Sequence, residues 1–224
     1  MLKIFTKKYK IYSESGLLGL LCLTIFIVPA FPQTFKPTVF NLLFSMVFLA
    51  CGISIAKRRK GILYAAISLV VVLWISDRLD LVALNYLFKL LTALFFVIIV
   101  IALITQTVKS KKVTPSIIIG SVNGYLLIGW IFSIIVGLVF HLEPNGYNFK
   151  LTGPSTGRIM EYMSEFTYYT FITMTTVGYG DFLPLTPLTR GLAILISTTG
   201  QLYLTILIAL LIGKFLSPEN VKSE

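Results

Sequence analysis

Apolar residues occur along this chain in long runs, separated by short segments of polar and basic residues. A helix that crosses the hydrocarbon core of a bilayer needs about 20 predominantly apolar residues. Several runs reach or approach this length, and the first and third must borrow flanking residues to do so. The pattern predicts six membrane helices, over Gly16 to Phe31, Thr38 to Ala56, Gly61 to Ser76, Leu81 to Val108, Pro115 to Phe140 and Leu188 to Phe215.

The composition supports a membrane protein, because 56% of the 224 residues are hydrophobic and only 12% are charged. The start of the chain has the basic and then apolar pattern of a signal peptide, with small residues near Ala30. We favour an uncleaved first helix, because its apolar run is long for a signal core and its retention gives the later helices a consistent topology.

The excess of 19 Lys and Arg over 9 Asp and Glu does not indicate nucleic-acid binding, because the basic residues cluster between apolar runs. Such clusters orient membrane helices, and they are enriched in cytoplasmic loops. Threading the helices from a cytoplasmic N-terminus predicts a multi-pass protein of the cell membrane with both termini cytoplasmic, surrounded by lipid. Most basic residues then share the cytoplasmic side: Lys3, Lys7, Lys8, Lys10, Lys57, Arg58, Arg59, Lys60, Lys109, Lys111, Lys112, Lys214 and Lys222.

The long break between the last two predicted helices has two parts. Residues 142–158 are rich in Pro, Gly and Asn and indicate an external loop. Ser164 to Met174 is apolar and aromatic but too short to span, which predicts a re-entrant helix, with Ser164 as its N-cap. The polar sequence "TMTTVGYGDF", residues 173–182, follows directly.

Non-helical backbone at membrane depth is tolerated only where it is buried in protein or lines a water-filled path. Gly178 and Gly180 can adopt positive φ values, and an alternating backbone hand lets successive carbonyls point the same way. Four such strands around an axis would surround a dehydrated cation with carbonyl oxygens. The segment therefore predicts a pore.

The sequence "TMTTVGYGD" resembles the signature of tetrameric potassium channels, and residues 109–215 resemble a bacterial two-helix pore module. The matching segments are "YLLIG", "YYTFITMTTVGYGDFLP" and "PLTRGLAILISTTGQLYLTILIALLIG". The resemblance implies an all-α membrane protein of six transmembrane helices, with a re-entrant pore helix and a TVGYG selectivity filter between the fifth and sixth. It implies a homotetramer that conducts potassium passively and holds no cofactor.

The resemblance also implies roles for individual residues. The carbonyls of Thr176, Val177, Gly178 and Tyr179 and the hydroxyl of Thr176 would coordinate K⁺. Gly180 would end the filter at the external mouth. Ile172 stands where some relatives carry a buried Glu, so that brace is absent. The supporting residues would be Thr175 and Asp181, with Tyr168, Tyr169 and Tyr179 as an aromatic cuff.

Residues 1–108 form a predicted four-helix membrane domain, residues 109–216 a pore domain and residues 217–224 a short cytoplasmic tail. The first domain occupies the position of a voltage sensor but lacks its repeated basic residues. Lys89 is the one basic residue within the fourth span, with Asn85 one turn before it and Asn41, Asp77 or Asp80 as alternative partners. A structural or snorkelling role for Lys89 is favoured over residual sensing, and strong voltage gating is not expected.

Small residues recur along the fifth helix and predict close helix packing: Ser116, Gly120, Gly124, Gly129, Ser133 and Gly137. Gly200 lies within the sixth helix, where it is either a gating hinge or a site that accommodates a neighbour. We interpret His141 as an interfacial side chain, and a role as an external pH sensor is the less favoured alternative. Cys22 and Cys51 lie within apolar runs and are interpreted as small buried hydrophobes.

Two alternatives to a selective potassium channel remain open from the sequence. One is a weakly selective cation channel of the same architecture. The other is a membrane subunit of a potassium-uptake or signalling complex, in which the pore is vestigial. An enzyme is not expected, because the sequence has no paired carboxylates or phosphate-binding glycine loop, and its single His cannot build a metal site.

Overall fold

The computed structural model describes residues 2–31, 35–56, 61, 64, 66–72, 82–110, 113–149 and 162–216. These residues are helical apart from short connections, which confirms the predicted all-helical class. The helices are α1 (Leu2–Cys22), α2 (Lys36–Ala56), α3 (residues 66–72), α4 (Val82–Lys109), α5 (Pro115–Leu142), α6 (Met163–Met174) and α7 (Pro187–Phe215).

Among the described residues, four helical segments are long and apolar enough to cross a membrane: Ile11–Ala30, Leu90–Lys109, Pro115–Leu142 and Pro187–Phe215. A shorter apolar helix covers Thr38–Ile53. The predicted third span, Gly61 to Ser76, lies partly outside the described residues, which include only 61, 64 and 66–72 of it. The protein is therefore a membrane protein with several membrane-capable helices, and the count of six stays a prediction.

The first span begins earlier than the apolar run suggests. Its candidate membrane segment starts at Ile11 and includes Glu14, whose side chain is only 1% exposed. Asn123 of α5 donates from Nδ2 to the backbone oxygen of Glu14 at 3.0 Å and to its Oε2 at 3.2 Å. A polar side chain that is hydrogen-bonded to a neighbouring helix satisfies part of the cost of its burial. The sequence pattern missed this because it counted only apolar residues.

α5 is the central helix of the described structure. It contacts α1, α4, α6 and α7, and Trp130 at its middle is fully buried. Trp130 stacks on Phe44 of α2 with ring centroids 5.1 Å apart, and Phe96 of α4 closes the cluster at 5.9 Å. Because lipid provides little hydrophobic driving force between helices, such close ring packing stabilises the association of the first helices with α5.

The small residues of α5 admit large side chains from two directions. A Cβ atom at Gly124 would collide with the Tyr203 hydroxyl of α7, and one at Gly129 would collide with the ring of Phe171 of α6. Tyr203 thereby reaches the backbone oxygen of Ser121, to which it donates at 2.7 Å. The predicted close packing of α5 is confirmed at these positions, and it brings α6 and α7 against the same helix.

Candidate functional site: the segment after α6

The segment between α6 and α7 depends on where α6 begins and ends. Tyr162 is the N-cap residue and makes no side-chain cap hydrogen bond, so the prediction of Ser164 as the N-cap is wrong. The helix begins at Met163, which places the Ser164 amide inside the first turn. The Ser164 hydroxyl instead donates to Oε2 of Glu165 at 2.6 Å. Glu165 complements the positive end of the helix dipole in that turn.

The backbone that follows α6 alternates in hand. Positive φ values occur at Thr176 (62°), Gly178 (51°) and Gly180 (80°), whereas Val177 and Tyr179 between them have none. The predicted positive φ at the two glycines is confirmed. Alternation of this kind lets successive carbonyl oxygens face the same side of the strand. A Cβ atom at Gly178 or Gly180 would meet nothing within 4 Å, so backbone conformation and not space requires glycine there.

Thr176 is a backbone outlier that the sequence did not reveal. Positive φ is rare for a β-branched residue and costs about 1–3 kcal/mol. The end of α6 holds the strained residue, since the Thr176 amide donates to the Thr173 oxygen at 3.0 Å. The next two amides, of Val177 and Gly178, both donate to the Ile172 oxygen, at 3.1 and 3.2 Å. The inner end of the segment is thus fixed by backbone carbonyls of α6.

Two hydroxyl groups lie at the same inner end. The Thr176 hydroxyl donates to the Thr175 oxygen at 2.6 Å, which leaves its own oxygen lone pairs as acceptors. The Thr175 hydroxyl donates to the Phe171 oxygen at 2.7 Å and thereby ties the segment to the last turn of α6. Residues 175–181 are all exposed in the single chain, and Tyr179 is 74% exposed.

Asp181 lies at the outer end of the segment and is held by side chains. Tyr168 donates from its hydroxyl to Oδ2 of Asp181 at 2.7 Å, and the Phe182 amide donates to Oδ1 at 3.1 Å. The hydrogen bond to Asp181 raises the pKa of Tyr168 to about 12, so the phenol stays a donor at neutral pH. Tyr168 and Asp181 are therefore brought together.

The three tyrosines of the predicted cuff have different surroundings within one chain. Tyr169 is buried, with its ring 5.4 Å from that of Tyr147 and 5.5 Å from that of Phe149, whereas Tyr168 lies against Phe182 at 5.6 Å. Tyr179 is exposed in the single chain. A cuff built from all three tyrosines stays a prediction.

Sequence reasoning missed Asn148, which pairs with the chain just beyond the segment. Its backbone amide donates to the backbone oxygen of Leu183 at 3.2 Å, and its side-chain Oδ1 accepts from the backbone amide of Leu183 at 2.5 Å. Its Nδ2 donates to the backbone oxygen of Asp181 at 3.4 Å. The one available signal was the "PNGYN" composition, which indicated only a turn.

Gly200 packs directly beneath the end of α6. It is buried, and a Cβ atom there would collide with the backbone oxygen and Cγ of Met174. Close packing therefore accounts for glycine at this position, and the hinge stays a prediction.

The remaining predicted residues lie elsewhere. The backbone of Lys89 lies in α4, but its side chain is outside the described residues, as are the side chain of Asn85 and all of Asp77 and Asp80. His141 is exposed in the last turn of α5. Cys51 is buried and Cys22 is half-buried.

Comparison with known proteins gives one match. Residues 125–217 match the family model described as an ion channel, which is a two-helix domain of the potassium-channel type. The matched residues contain most of α5, all of α6 and α7, and the segment with alternating φ. Neither the curated proteins nor the solved structures include a significant match to the chain. The family match supports a potassium channel family and, with the apolar helices, ion transport across a membrane.

Proposed function

We propose that this ion channel domain forms a potassium-selective pore in a homotetramer and that residues 175–180 are its selectivity filter. In this proposal α6 is a re-entrant pore helix between the fifth and sixth of six spanning helices. The observation that carries the proposal is the alternation of positive φ at Thr176, Gly178 and Gly180, directly after the end of α6. The ion gradient supplies all the energy for transport.

A stack of inward carbonyls suits a potassium ion because it replaces the water shell without a full negative charge that would trap the ion. Thr176, Val177, Gly178 and Tyr179 supply these oxygens, and the Thr176 hydroxyl supplies one more below them. The C-terminal end of α6 meets the segment at Met174, so the negative end of its dipole adds a favourable field for a cation at the inner side.

The exposure of the filter supports a tetramer. One chain leaves residues 175–181 uncovered, and one strand supplies only a quarter of the oxygens that a closed ring requires. α7 also presents large apolar side chains to its surroundings, among them Ile194 at 69% and Leu202 at 55% exposure. Copies arranged around the filter axis would cover part of this surface, and lipid would cover the rest.

The predicted grouping of basic clusters on one side of the membrane also gains support. Lys214 near the end of α7 donates from Nζ to the backbone oxygens of Thr107 and Val108, which lie in the last turn of α4. Lysine side chains commonly satisfy the last carbonyls of a helix. Two basic clusters that we assign to the cytoplasm, those around Lys109 and Lys214, therefore lie at the same end of the protein.

The test is electrical. Purified protein in planar bilayers, with K⁺ on one side and Na⁺ on the other, should give a reversal potential close to that expected for potassium alone. Gly178→Ala should abolish the potassium current, because alanine is strained at φ 51°. Gly191→Ala is the matched control, since this α7 glycine has ordinary φ and no atom within 4 Å of a Cβ. Undiminished current in Gly178→Ala would refute the filter assignment.

A weakly selective cation channel is a second candidate, favoured by one observation. Ile172 provides no carboxylate behind the filter, so the filter has fewer side-chain restraints than one with a buried acid at that position. The same bi-ionic recording separates the two, because a weakly selective pore would reverse near zero. A vestigial pore in a larger complex predicts no current from the purified protein in either ion.

A further inference from the structure

The connection that follows α5 forms a second support for the proposed filter. We propose that Asn148 is a positioning residue that holds the outer end of the filter, so that residues 143–149, here called the outer strap, determine how long the pore stays conductive. This inference rests on the proposed function. It assigns to an external loop the restraint that Ile172 does not provide from behind the filter.

Asn148 is suited to this role because it uses a donor and an acceptor of its side chain at once. Oδ1 accepts from the Leu183 amide at 2.5 Å, while Nδ2 donates to the Asp181 oxygen at 3.4 Å. The backbone amide of Asn148 adds a bond to the backbone oxygen of Leu183 at 3.2 Å. The side-chain amide of Asn148 supplies both groups from two separate atoms, Nδ2 and Oδ1.

The outer strap is itself anchored to α7 and to the loop before it. The Gly146 oxygen accepts from the Leu185 amide at 2.8 Å and from the Thr189 hydroxyl at 2.8 Å. At its start, Glu143 accepts from the Thr186 hydroxyl at 2.6 Å. Thr186 is also the N-cap of α7, and its oxygen accepts from the Thr189 amide. These bonds fix the strap against the start of the inner helix.

Aromatic packing fixes the strap against α6. The rings of Tyr147 and Phe149 stack with centroids 4.6 Å apart, and Phe149 lies 5.5 Å from Phe166 and 5.0 Å from Phe182. Tyr147 is only 4% exposed. Burial raises the pKa of Tyr147, so the ring remains neutral in this apolar setting. Asn148 thus stands between two residues that are held in place, which reduces the entropy lost when it bonds to the filter exit.

The physical consequence concerns the Asp181 peptide. Among the described residues its carboxylate is bonded to Tyr168 and to the Phe182 amide, and its backbone oxygen is bonded to Asn148. If the Asn148 side chain is removed, this peptide is free to rotate. Rotation at the exit would misalign the carbonyls at the outer end of the filter, because the backbone hydrogen bonds to α6 hold only residues 176–178 at the inner end.

The test compares two asparagines of the same strap. Asn148→Ala should make the potassium current decay about tenfold faster during sustained recording, since both side-chain hydrogen bonds of Asn148 are lost. High external K⁺ should slow this decay, because an ion in the outer sites holds the carbonyls in place. Asn145→Ala is the matched control, since Asn145 lies three residues away and is exposed, and its decay should equal that of the wild type.

Asn148→Asp is the second variant, because it keeps the size and the acceptor but lacks the donor to Asp181. The potassium current of this variant should also decay faster, and the variant separates the role of the hydrogen bond to Asp181 from the presence of a side chain.

Wild-type decay in both Asn148 variants would overturn the inference and leave the filter proposal intact. Accelerated decay that is the same at low and high external K⁺ would also overturn the inference, because it would indicate a general loss of protein stability. A wild-type protein without potassium current would refute the proposed function, and this inference with it.

Discussion

The two ends of the candidate filter are held in different ways. At the inner end, the amides of Thr176, Val177 and Gly178 donate to backbone oxygens of α6. At the outer end, the Tyr168 hydroxyl donates to the Asp181 carboxylate, and the side-chain amide of Asn148 donates to the Asp181 backbone oxygen. Every residue has a backbone carbonyl, whereas only certain side chains supply a hydroxyl or an amide. Apart from Thr175 and Thr176, whose hydroxyls also bond there, the inner end should therefore tolerate side-chain changes that preserve packing, and the outer end should depend on residue identity.

The largest effect is expected where packing at the inner end would be lost. Gly200→Ala places a methyl group against the Met174 oxygen, and backbone cannot yield as a flexible side chain would. We expect the protein to lose about 1–3 kcal/mol of stability, as overpacked sites do, together with its current. Thermal unfolding of the purified protein, followed by light scattering, measures the loss.

Gly213→Ala is the matched control, because this α7 glycine has no atom within 4 Å of a Cβ. Wild-type thermal stability in Gly200→Ala, accompanied by altered opening, would favour a hinge at Gly200 over the packing role. The opposite result, lower stability in proportion to lost current, would show that the inner end of the candidate filter depends on the packing of Gly200 against the backbone of α6.

The next effect concerns the outer end. Tyr168→Phe removes the hydroxyl that donates to Asp181 and leaves the ring against Phe182. Tyr168 is 39% exposed, so water replaces part of the lost bond, and we expect decay of the potassium current to be faster by roughly threefold. A double variant with Asn148→Ala tests coupling between the two restraints.

Each single variant increases the rate of current decay by some factor. If the double variant increases this rate by less than the product of the two factors, both residues act on the same Asp181 peptide. Unchanged decay in Tyr168→Phe would contradict the idea that the outer end depends on side chains. The reversal potential should stay at the wild-type value in both single variants, because neither residue contributes an oxygen to the proposed ion sites.

This difference between the two ends also explains what the sequence predicted. The bounds of α5 and α7 follow from apolar run length, and the glycines at 178 and 180 follow from a local φ requirement, and both signals are visible along the chain. The role of Gly200 in packing against Met174 depends on a contact between α6 and α7. The sequence offered a hinge and a packing site as equal alternatives there.

The residues that sequence reasoning missed act through distant contacts or through strain. Asn148 bonds to residues more than 30 positions away, and nothing in its local sequence indicates that pairing. Glu14 meets Asn123 across 109 positions. Thr176 adopts a conformation that its residue type disfavours, because bonds from the end of α6 hold it there. Ser164 failed as an N-cap because α6 begins two residues earlier than predicted, with Tyr162 as the N-cap, and this moves the Ser164 side chain from the cap into the first turn.

The smallest effect is expected from Ile172→Val, which changes a side chain at the inner end but keeps the carbonyl that accepts from Val177 and Gly178. Ile172 is half-buried, so the loss of one methylene should cost about 0.5–1 kcal/mol of protein stability. Current amplitude, reversal potential and decay should match the wild type, because the two hydrogen bonds remain. If Ile172→Val accelerated decay as strongly as Tyr168→Phe, the side chain and not the carbonyl of residue 172 would control the filter. The contrast between a backbone-held inner end and a side-chain-held outer end would then be lost.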